Sequence, residues 1–215
     1  MTGKHHIFVS GTICPCVIAL EGCAFQIAEM IHHTNPPQLL SKHFLIRYLY
    51  PDSVLSSGKF IILSWSAIVF TLYLFGSVLP DIDSRNSIVG RKFYLPIKHR
   101  TWTHSVWGIL MLWIASFFFV LVRPVLIGYL FHMLEDTPSA CGICWLYPFH
   151  RYIEYESGAK VADGHRLKLY RTGDRSEQII VWGILILCAL IIWLCGFVGH
   201  GFATYWQVLT SCTSY

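Results

Sequence analysis

The chain has 215 residues, of which 54% are hydrophobic and only 13% are charged. These proportions, with a mean hydropathy of +0.52, exclude an ordinary soluble domain. The net charge of +4 comes without a basic helix or an interleaved pattern of basic and aromatic residues, so no nucleic-acid partner is expected.

Five apolar segments predict membrane-spanning helices. In chain order they cover residues 7–28, 60–79, 105–122, 125–134 and 179–199. The second and fifth carry no charged side chain and reach the roughly 20 residues that cross a bilayer core. The first carries Glu21, and the fourth is short, so it spans only with help from its flanks. We therefore predict an all-α, polytopic transmembrane protein of about five helices. It forms a single integral-membrane domain over residues 1–215, with an aqueous loop or cap at residues 137–178.

Basic residues lie mostly on one side of this predicted topology. If all five segments span, the N-terminus, the 80–104 loop and the 137–178 segment share a side that holds twelve of the sixteen Lys and Arg residues. Short loops rich in Lys and Arg remain in the cytoplasm. We therefore expect this side to face the cytoplasm from a bacterial cytoplasmic (inner) membrane, with anionic membrane lipid as its neighbour.

Asp and His residues recur at the ends of the apolar segments, all on that same side. They are His6, Asp81, Asp83, His99, His104, His132 and Asp136. Carboxylates and imidazoles are costly at a membrane boundary unless a metal, a proton or each other satisfies them. His132 and Asp136 are four residues apart on a predicted helix, so both can face one ion. Imidazole with carboxylate is also a ligand set that zinc and neighbouring transition metals prefer, so the pattern predicts a metal site.

Each of these residues also has a structural interpretation. Asp81 and Asp83 can cap a helix beside a proline, and His104 alone can pack at the level of the lipid headgroups. His6 lies near the N-terminus, where order is often low. Glu177, just before the last apolar segment, is more typical of a helix start than of a ligand. A metal site accounts better for seven such residues on one predicted face.

Four spaced motifs carry a family resemblance that runs from residue 1 to about residue 190. They are MTGKHH at 1–6, GSVLPDID at 76–83, HRxxTHS at 99–105 and GYLxHxxxD at 128–136. In this order they resemble the YdjM-like membrane-bound metal-dependent hydrolases, also called LexA-regulated inner-membrane hydrolases. The resemblance implies a multi-helix membrane hydrolase that binds metal through the seven Asp and His residues. His5 is a departure, since family members more often carry Thr at this position.

Metal-assisted hydrolysis is the mechanism that these residues predict. A bound cation lowers the pKa of its water from about 16 to about 7, which makes hydroxide available at neutral pH. Zinc is the expected ion, with manganese or iron as alternatives, and seven candidate ligands suffice for one or two ions. Asp83 or His104 is the expected general base, and Arg100 can steady a phosphate oxygen through its forked guanidinium. The position near the headgroups predicts a small or amphiphilic ester or phosphoester as substrate.

Two other functions remain open. A non-enzymatic membrane protein that binds or conducts a metal ion would carry polar residues through its spans, and Glu21 and Gln26 in the first segment favour such a path. A structural scaffold would use the same His and Asp residues only for interfacial hydrogen bonds. Metal content separates the scaffold from the other two functions, and ion transport in liposomes separates the conductor from the enzyme. The sequence leaves the oligomeric state open.

Overall fold

The computed structural model describes residues 1–32, 48–55, 57, 59–140, 142–149, 152–154, 160–162 and 169–199. The regular structure over these residues is helical, as the apolar segments predict, apart from one short hairpin. The helices are α1 (Gly3–His32), α2 (Asp52–Leu55), α3 (Lys59–Gly76), α4 (Val106–Phe118), α5 (Val122–Asp136) and α6 (Arg175–Gly199). Two 3₁₀ turns, Leu79–Asp83 and Trp102–His104, lie on either side of an irregular segment between α3 and α4.

The hairpin lies in the segment that the sequence predicts to be an aqueous loop or cap. Strand β1 (Tyr152–Glu154) pairs antiparallel with strand β2 (Lys160–Ala162). A parallel bridge joins Ser139, before the hairpin, to Tyr170, after it. The amide of Ala140 donates to the carbonyl of Tyr170 over 2.7 Å. This bridge brings the chain that leads into α6 back beside the end of α5.

One helix among the described residues is long and apolar enough to cross a membrane. It is the stretch Arg175–Cys195 of α6, with a mean hydropathy of 2.6. Several of its large apolar side chains are exposed, Ile179 by 72% and Trp193 by 62%, which is the surface expected of a helix in contact with lipid. The stretches Phe60–Gly76 and Val106–Phe118 are apolar but shorter. The fifth predicted span is thus supported, and the other four remain predictions.

The helix in the third predicted span, residues 105–122, is shorter than predicted, and Val122 already belongs to the next helix. Helix α4 ends at Phe118, because Phe119 takes an extended conformation with φ −128° and ψ 106°. Pro124 lies in the first turn of α5, where its missing N–H removes no helical hydrogen bond. The Arg123 side chain donates from Nε to the carbonyl of Ser116 over 3.3 Å, which ties the start of α5 to the end of α4.

Two glycines let α3 and α5 approach each other backbone to backbone. A Cβ atom on Gly128 would lie 2.0 Å from the carbonyl oxygen of Tyr73, and one on Gly76 would lie 2.2 Å from that of Val125. A side chain at either position would push the helices apart. His132 lies one turn after Gly128, on the same face of α5, so this approach brings it within reach of the end of α3.

The chain divides into two compact units. Met1–Ser10 and Leu72–Trp182 form the first, and Gly11–Thr71 and Gly183–Tyr215 form the second. Every predicted site residue belongs to the first unit, which also holds a buried apolar cluster of Tyr129, Met133 and Ile143. In the second unit, the Trp65 indole N–H donates to the carbonyl of Leu49 over 3.0 Å. The single integral-membrane domain over residues 1–215 stays a prediction.

Candidate metal centre

Two buried imidazole rings meet inside the first unit. Nε2 of His104 and Nε2 of His132 are 3.3 Å apart, and the ring planes are inclined by 63°. His104 comes from the second 3₁₀ turn and His132 from the penultimate turn of α5, and neither side chain is exposed. Two neutral imidazoles that meet through unprotonated nitrogens repel each other. The pair therefore needs a proton or a metal cation between its nitrogen atoms.

Two carboxylates close the space around these nitrogens. Oδ1 of Asp81 lies 3.6 Å from Nε2 of His104 and 3.7 Å from Nε2 of His132. Oδ2 of Asp136 lies 3.9 Å and 3.8 Å from the same two nitrogens. Asp81 sits on the first 3₁₀ turn directly after Pro80, and Asp136 is the last residue of α5. Two imidazole nitrogens and two carboxylate oxygens therefore surround one small volume.

The other ring nitrogen of each histidine is held by the protein. His132 donates from Nδ1 to the carbonyl oxygen of Ser77 over 2.8 Å, and because a carbonyl only accepts, this Nδ1 carries the proton. Nδ1 of His104 lies 3.1 Å from the hydroxyl of Thr103, which donates its own proton to Asp83. Such anchoring at one nitrogen orients metal-binding histidines and leaves the lone pair of the other for the ion.

His6 adds a third buried imidazole. Its Nδ1 is 2.5 Å from Oε2 of Glu135, and its ring stacks on that of His132 with centroids 3.9 Å apart. Its Nε2 has no hydrogen-bond partner among the residues that the structure describes, and Oδ1 of Asp136 lies 3.4 Å away. That same Oδ1 accepts from the ammonium of Met1, which is 3.2 Å from the hydroxyl of Tyr170.

This donor set fits a divalent metal ion. Zinc bonds to imidazole nitrogen are about 2.0–2.1 Å long, so two ligands of a tetrahedral ion are about 3.3 Å apart. The separations around His104 and His132 run from 3.3 to 3.9 Å, close to that value. Two groups of residues bring ligand atoms together closely enough for an ion: His6 with His132 and Asp136, and Asp81 with His99 and His104. The orphaned Nε2 of His6 indicates the same, since an unpaired buried polar atom is costly.

Residues 51–202 match the model of the YdjM inner membrane protein family. This chain belongs to the YdjM inner membrane protein family. The resemblance that the sequence motifs carry is thereby confirmed. The matched range contains six of the seven predicted ligands and leaves out His6. Membership in this family and the span-length apolar stretch of α6 together support a membrane location.

Comparison with curated proteins and with solved structures adds to the family match. The uncharacterized protein YvsG from Bacillus subtilis (strain 168) is 30% identical over 123 residues, which cover 52% of this chain and 69% of that protein. No solved structure matches the chain. The arrangement of the site in this YdjM-family protein is therefore argued from its own geometry.

Asp83 anchors the YdjM-family site. Its Oδ1 is 2.6 Å from Nδ1 of His99, and its Oδ2 accepts from the amide of Arg100 over 3.2 Å and from the hydroxyl of Thr103. It belongs to neither group of candidate ligands. With its oxygens already accepting these donors, the carboxylate holds the 99–104 turn in place beside the metal space.

Arg100 connects this turn to the end of α5. Its backbone has φ 61°, a left-handed conformation that non-glycine residues seldom adopt. The guanidinium donates from one terminal nitrogen to Oδ2 of Asp136 over 3.2 Å, and from the other to the carbonyl of Gly142 over 3.3 Å. Two donors are thus directed at the protein, so the side chain orients Asp136. The predicted contact with a substrate phosphate remains a prediction.

Both carboxylates of the first 3₁₀ turn have lowered pKa values. Burial alone would raise the pKa of Asp81, but its interaction with His104 and the positive charge of nearby histidines lower that pKa to about 2. Burial opposes ionisation of Asp83 in the same way, and contacts with His104 and His99 outweigh it, so its pKa falls below the usual range. Burial lowers the pKa of His104, yet Asp81 and Asp83 raise it above the ordinary value overall. Without metal, the raised pKa of His104 favours its protonated form beside Asp81 and Asp83.

The sequence did not predict Glu135 as a residue near the site, and it predicted Glu177 only as an acid at a helix start. Glu135, inside the GYLxHxxxD motif, is buried. Its Oε2 lies 2.5 Å from Nδ1 of His6, and its Oε1 accepts from the hydroxyl of Ser10 over 3.0 Å. Glu177 lies in the first turn of α6, as a helix-start acid should. It is also fully buried and accepts from the amide of Thr2 over 2.6 Å, while Nδ1 of His5 lies 2.7 Å away. The feature of the sequence that could have indicated Glu135 as a site residue is its position beside Asp136 and three residues after His132.

Proposed function

We propose that this protein is a membrane-bound metal-dependent hydrolase, in which metal-activated water attacks an ester or phosphoester at the cytoplasmic face of the membrane. The observation that carries the proposal is the convergence of His104 and His132 through their Nε2 atoms, 3.3 Å apart, between the carboxylates of Asp81 and Asp136. The anchored Nδ1 atoms support a site that is organised before an ion binds.

The residues around the ion have distinct tasks in this proposal. A divalent ion, zinc by preference and manganese or iron as alternatives, supplies an acidified water and a Lewis acid for a phosphoryl or carbonyl oxygen. Asp81 and Asp136 neutralise the charge of the ion. Ser77 and Thr103 hold the two imidazole rings by their Nδ1 atoms. Arg100 fixes one oxygen of Asp136, so that the ligand geometry survives substrate entry.

His99 is the best candidate for moving a proton between the site and a substrate. Its side chain is 41% exposed, whereas His6, His104 and His132 are fully buried. Its Nδ1 is 2.6 Å from Oδ1 of Asp83, so Nε2 is the nitrogen that would transfer the proton. A carboxylate that orients an imidazole in this way favours general acid–base work. In this proposal Asp83 acts through His99, and the expectation from the sequence that Asp83 or His104 is itself the base stays a prediction.

We infer the substrate class from the position proposed for the site, at the membrane surface. A membrane protein with a polar metal centre meets ester and phosphoester groups of lipids at the headgroup level. The exposed segment between the two 3₁₀ turns carries Arg91, Lys92, Phe93 and Tyr94, a mixture of cationic and aromatic side chains suited to an anionic amphiphile. We therefore place a lipid-like phosphoester ahead of a small soluble ester.

The alternative, a protein that binds or conducts a metal ion without chemistry, is less well supported. Conduction needs polar groups along the spans, whereas the seven predicted ligands all belong to the first compact unit. Transport of zinc or manganese into liposomes by the purified protein, with no hydrolysis, would favour it.

A hydrolysis assay tests the proposal. The protein in lipid nanodiscs is loaded with Zn²⁺ or Mn²⁺ and given p-nitrophenyl phosphate, bis-p-nitrophenyl phosphate, p-nitrophenyl butyrate and phosphatidic acid. We expect at least one substrate to be hydrolysed, with a loss of more than about a hundredfold in His104→Ala. His5→Thr, which changes a histidine outside the site, should keep the rate. Equal rates in wild type and His104→Ala on every substrate would contradict the proposal.

A further inference from the structure

The three buried imidazoles do not all point at one place. The rings of His104 and His132 are inclined by 63° and meet through their Nε2 atoms at 3.3 Å, so their in-plane lone pairs converge on one point. The rings of His6 and His132 are stacked instead, with centroids 3.9 Å apart and planes only 26° from parallel. Because an imidazole binds a metal along a lone pair in the ring plane, two stacked rings aim at two neighbouring points.

The carboxylate of Asp136 lies between these two points. Its Oδ2 is 3.9 Å and 3.8 Å from the Nε2 atoms of His104 and His132. Its Oδ1 is 3.4 Å from Nε2 of His6 and accepts from the ammonium of Met1, which a metal ion at this point would displace. One oxygen thus faces the converging pair and the other faces the stacked ring, which is the arrangement of a carboxylate that bridges two cations.

His6 is held with its Nε2 toward Oδ1 of Asp136, 3.4 Å away. Its Nδ1 is fixed by Glu135 at 2.5 Å, and the other oxygen of Glu135 accepts from the hydroxyl of Ser10 over 3.0 Å. Nε2 is left fully buried with no hydrogen-bond partner in the described part of the chain. Leaving a buried polar atom unpaired is unfavourable, so an ordered ring with such an atom indicates a ligand that completes it.

We propose that His6 and Oδ1 of Asp136 begin a second divalent-metal subsite, beside the one formed by Asp81, His104 and His132, with Asp136 bridging the two. The inference rests on the proposed function, since it concerns the same metal centre, and it adds the number of ions and their ligands. The ring spacing of 3.9 Å matches the separation of about 3.5–4 Å between the ions of two-metal hydrolytic sites. Phosphoesters are a common substrate of such sites, which strengthens that substrate class.

Manganese loading tests the second subsite without relying on activity. The full chain, purified in detergent, is incubated with Mn²⁺, freed of excess metal by gel filtration, and examined by elemental analysis and electron paramagnetic resonance. We expect two Mn²⁺ per chain and the spectrum of an exchange-coupled pair, because ions this close interact magnetically. One Mn²⁺ per chain with an isolated six-line spectrum would overturn the second subsite and leave the hydrolase proposal intact.

Variants locate the second ion. His6→Ala should bind one Mn²⁺ and lose the coupling, and Glu135→Gln should weaken the second ion while it keeps the packing of α5. His5→Thr, one residue away and in contact with Glu177 instead, should keep both ions. A coupled pair that survives in His6→Ala would show that His6 is not a ligand and would overturn the assignment. Wild type that binds neither Mn²⁺ nor Zn²⁺ would overturn the metal centre itself, and the proposed function with it.

Discussion

His6, His104 and His132 share one arrangement at the scale of single residues. Each engages Nδ1 with an oxygen acceptor, from Glu135, Thr103 or Ser77, and each turns Nε2 toward Asp81 or Asp136. A set of core histidines that only satisfied one another would pair nitrogen with oxygen at both ends. Here two Nε2 atoms meet each other and a third has no partner in the described residues, which is the pattern of ligands around a cation.

Metal binding should release a proton and strengthen as the pH rises. His104 has a raised pKa because Asp81 and Asp83 outweigh the effect of burial, so its proton must leave before an ion binds. The pKa of Asp81, about 2, keeps that carboxylate ionised throughout. Below the pKa of His104, each unit of pH lost should therefore weaken Zn²⁺ binding about tenfold.

Isothermal titration calorimetry checks this dependence. Titrations in two buffers of different ionisation enthalpy report the number of protons released, and a series from pH 6 to pH 8 reports the affinity. An affinity that is flat over this range, with no proton release, would show that His104 is not displaced by the ion.

At position 100, a glycine variant of the protein should be more stable than an alanine variant. Its φ of 61° is strained for any residue with a Cβ, by about 1 kcal/mol, and both substitutions remove the guanidinium from Asp136. Arg100→Gly should therefore exceed Arg100→Ala by about 1 kcal/mol in the free energy of unfolding. Unfolding by titration with sodium dodecyl sulfate measures both variants, and a more stable Arg100→Ala would contradict the strain.

The approach of α3 and α5 is what positions the site at the scale of elements. Gly76 and Gly128 allow the two backbones to touch, and the contact lets the carbonyl of Ser77 accept from His132. The 3₁₀ turn that follows α3 then places Asp81 opposite the end of α5. Two glycines in α3 and α5 therefore determine whether a carboxylate from one element meets an imidazole from the other.

Gly128→Ala tests this contact. The added Cβ would lie 2.0 Å from the carbonyl oxygen of Tyr73, so the helices must separate, and we expect a loss of about 1–3 kcal/mol in the free energy of unfolding together with weaker metal binding. Gly183→Ala is the matched control, because nothing lies within 4 Å of its added Cβ. That control should be neutral or stabilised by up to about 1 kcal/mol, and equal losses in the two variants would argue against a tight contact.

The sequence predicted the helical class and a cluster of Asp and His residues that the structure brings together, but not the contacts that each residue makes. The position of acids and imidazoles at the ends of apolar segments was enough to predict that His6, Asp81 and His132 lie close together. Their spacing could not separate a ligand from an anchor, since Asp83 differs from Asp81 only in the donors that face it. Glu135 was missed because a glutamate near a helix end usually meets water.

Element boundaries were less predictable for a physical reason. The run from residue 105 to residue 134 is apolar except around Arg123 and Pro124. Hydropathy alone therefore placed the end of the third span at residue 122, where the structure ends α4 at Phe118 and begins α5 at Val122. The helix ends where Phe119 takes an extended conformation, and a uniformly apolar sequence carries no signal for that change.

At the scale of the whole molecule, the proposed orientation places the irregular segment between the two 3₁₀ turns in the cytoplasm. In a variant whose eight native cysteines are replaced, a cysteine at the exposed Lys92 should react with a membrane-impermeant maleimide in inverted vesicles and resist it in intact spheroplasts. Asp52→Cys, in the predicted external connection, should show the opposite pattern. Labelling of Lys92→Cys in spheroplasts would reverse the proposed orientation.

Metal content tests the central claim most directly. Detergent-purified wild type, Asp81→Asn and Asp52→Asn are incubated with Zn²⁺, dialysed without chelator and examined by elemental analysis, with circular dichroism to confirm that each is folded. We predict at least one bound ion in wild type and in Asp52→Asn, whose carboxylate is exposed and outside the site, and a large loss in Asp81→Asn. A folded wild type that stays free of Zn²⁺, and of Mn²⁺ in a parallel incubation, would contradict the metal centre and leave these residues a hydrogen-bonded structural cluster.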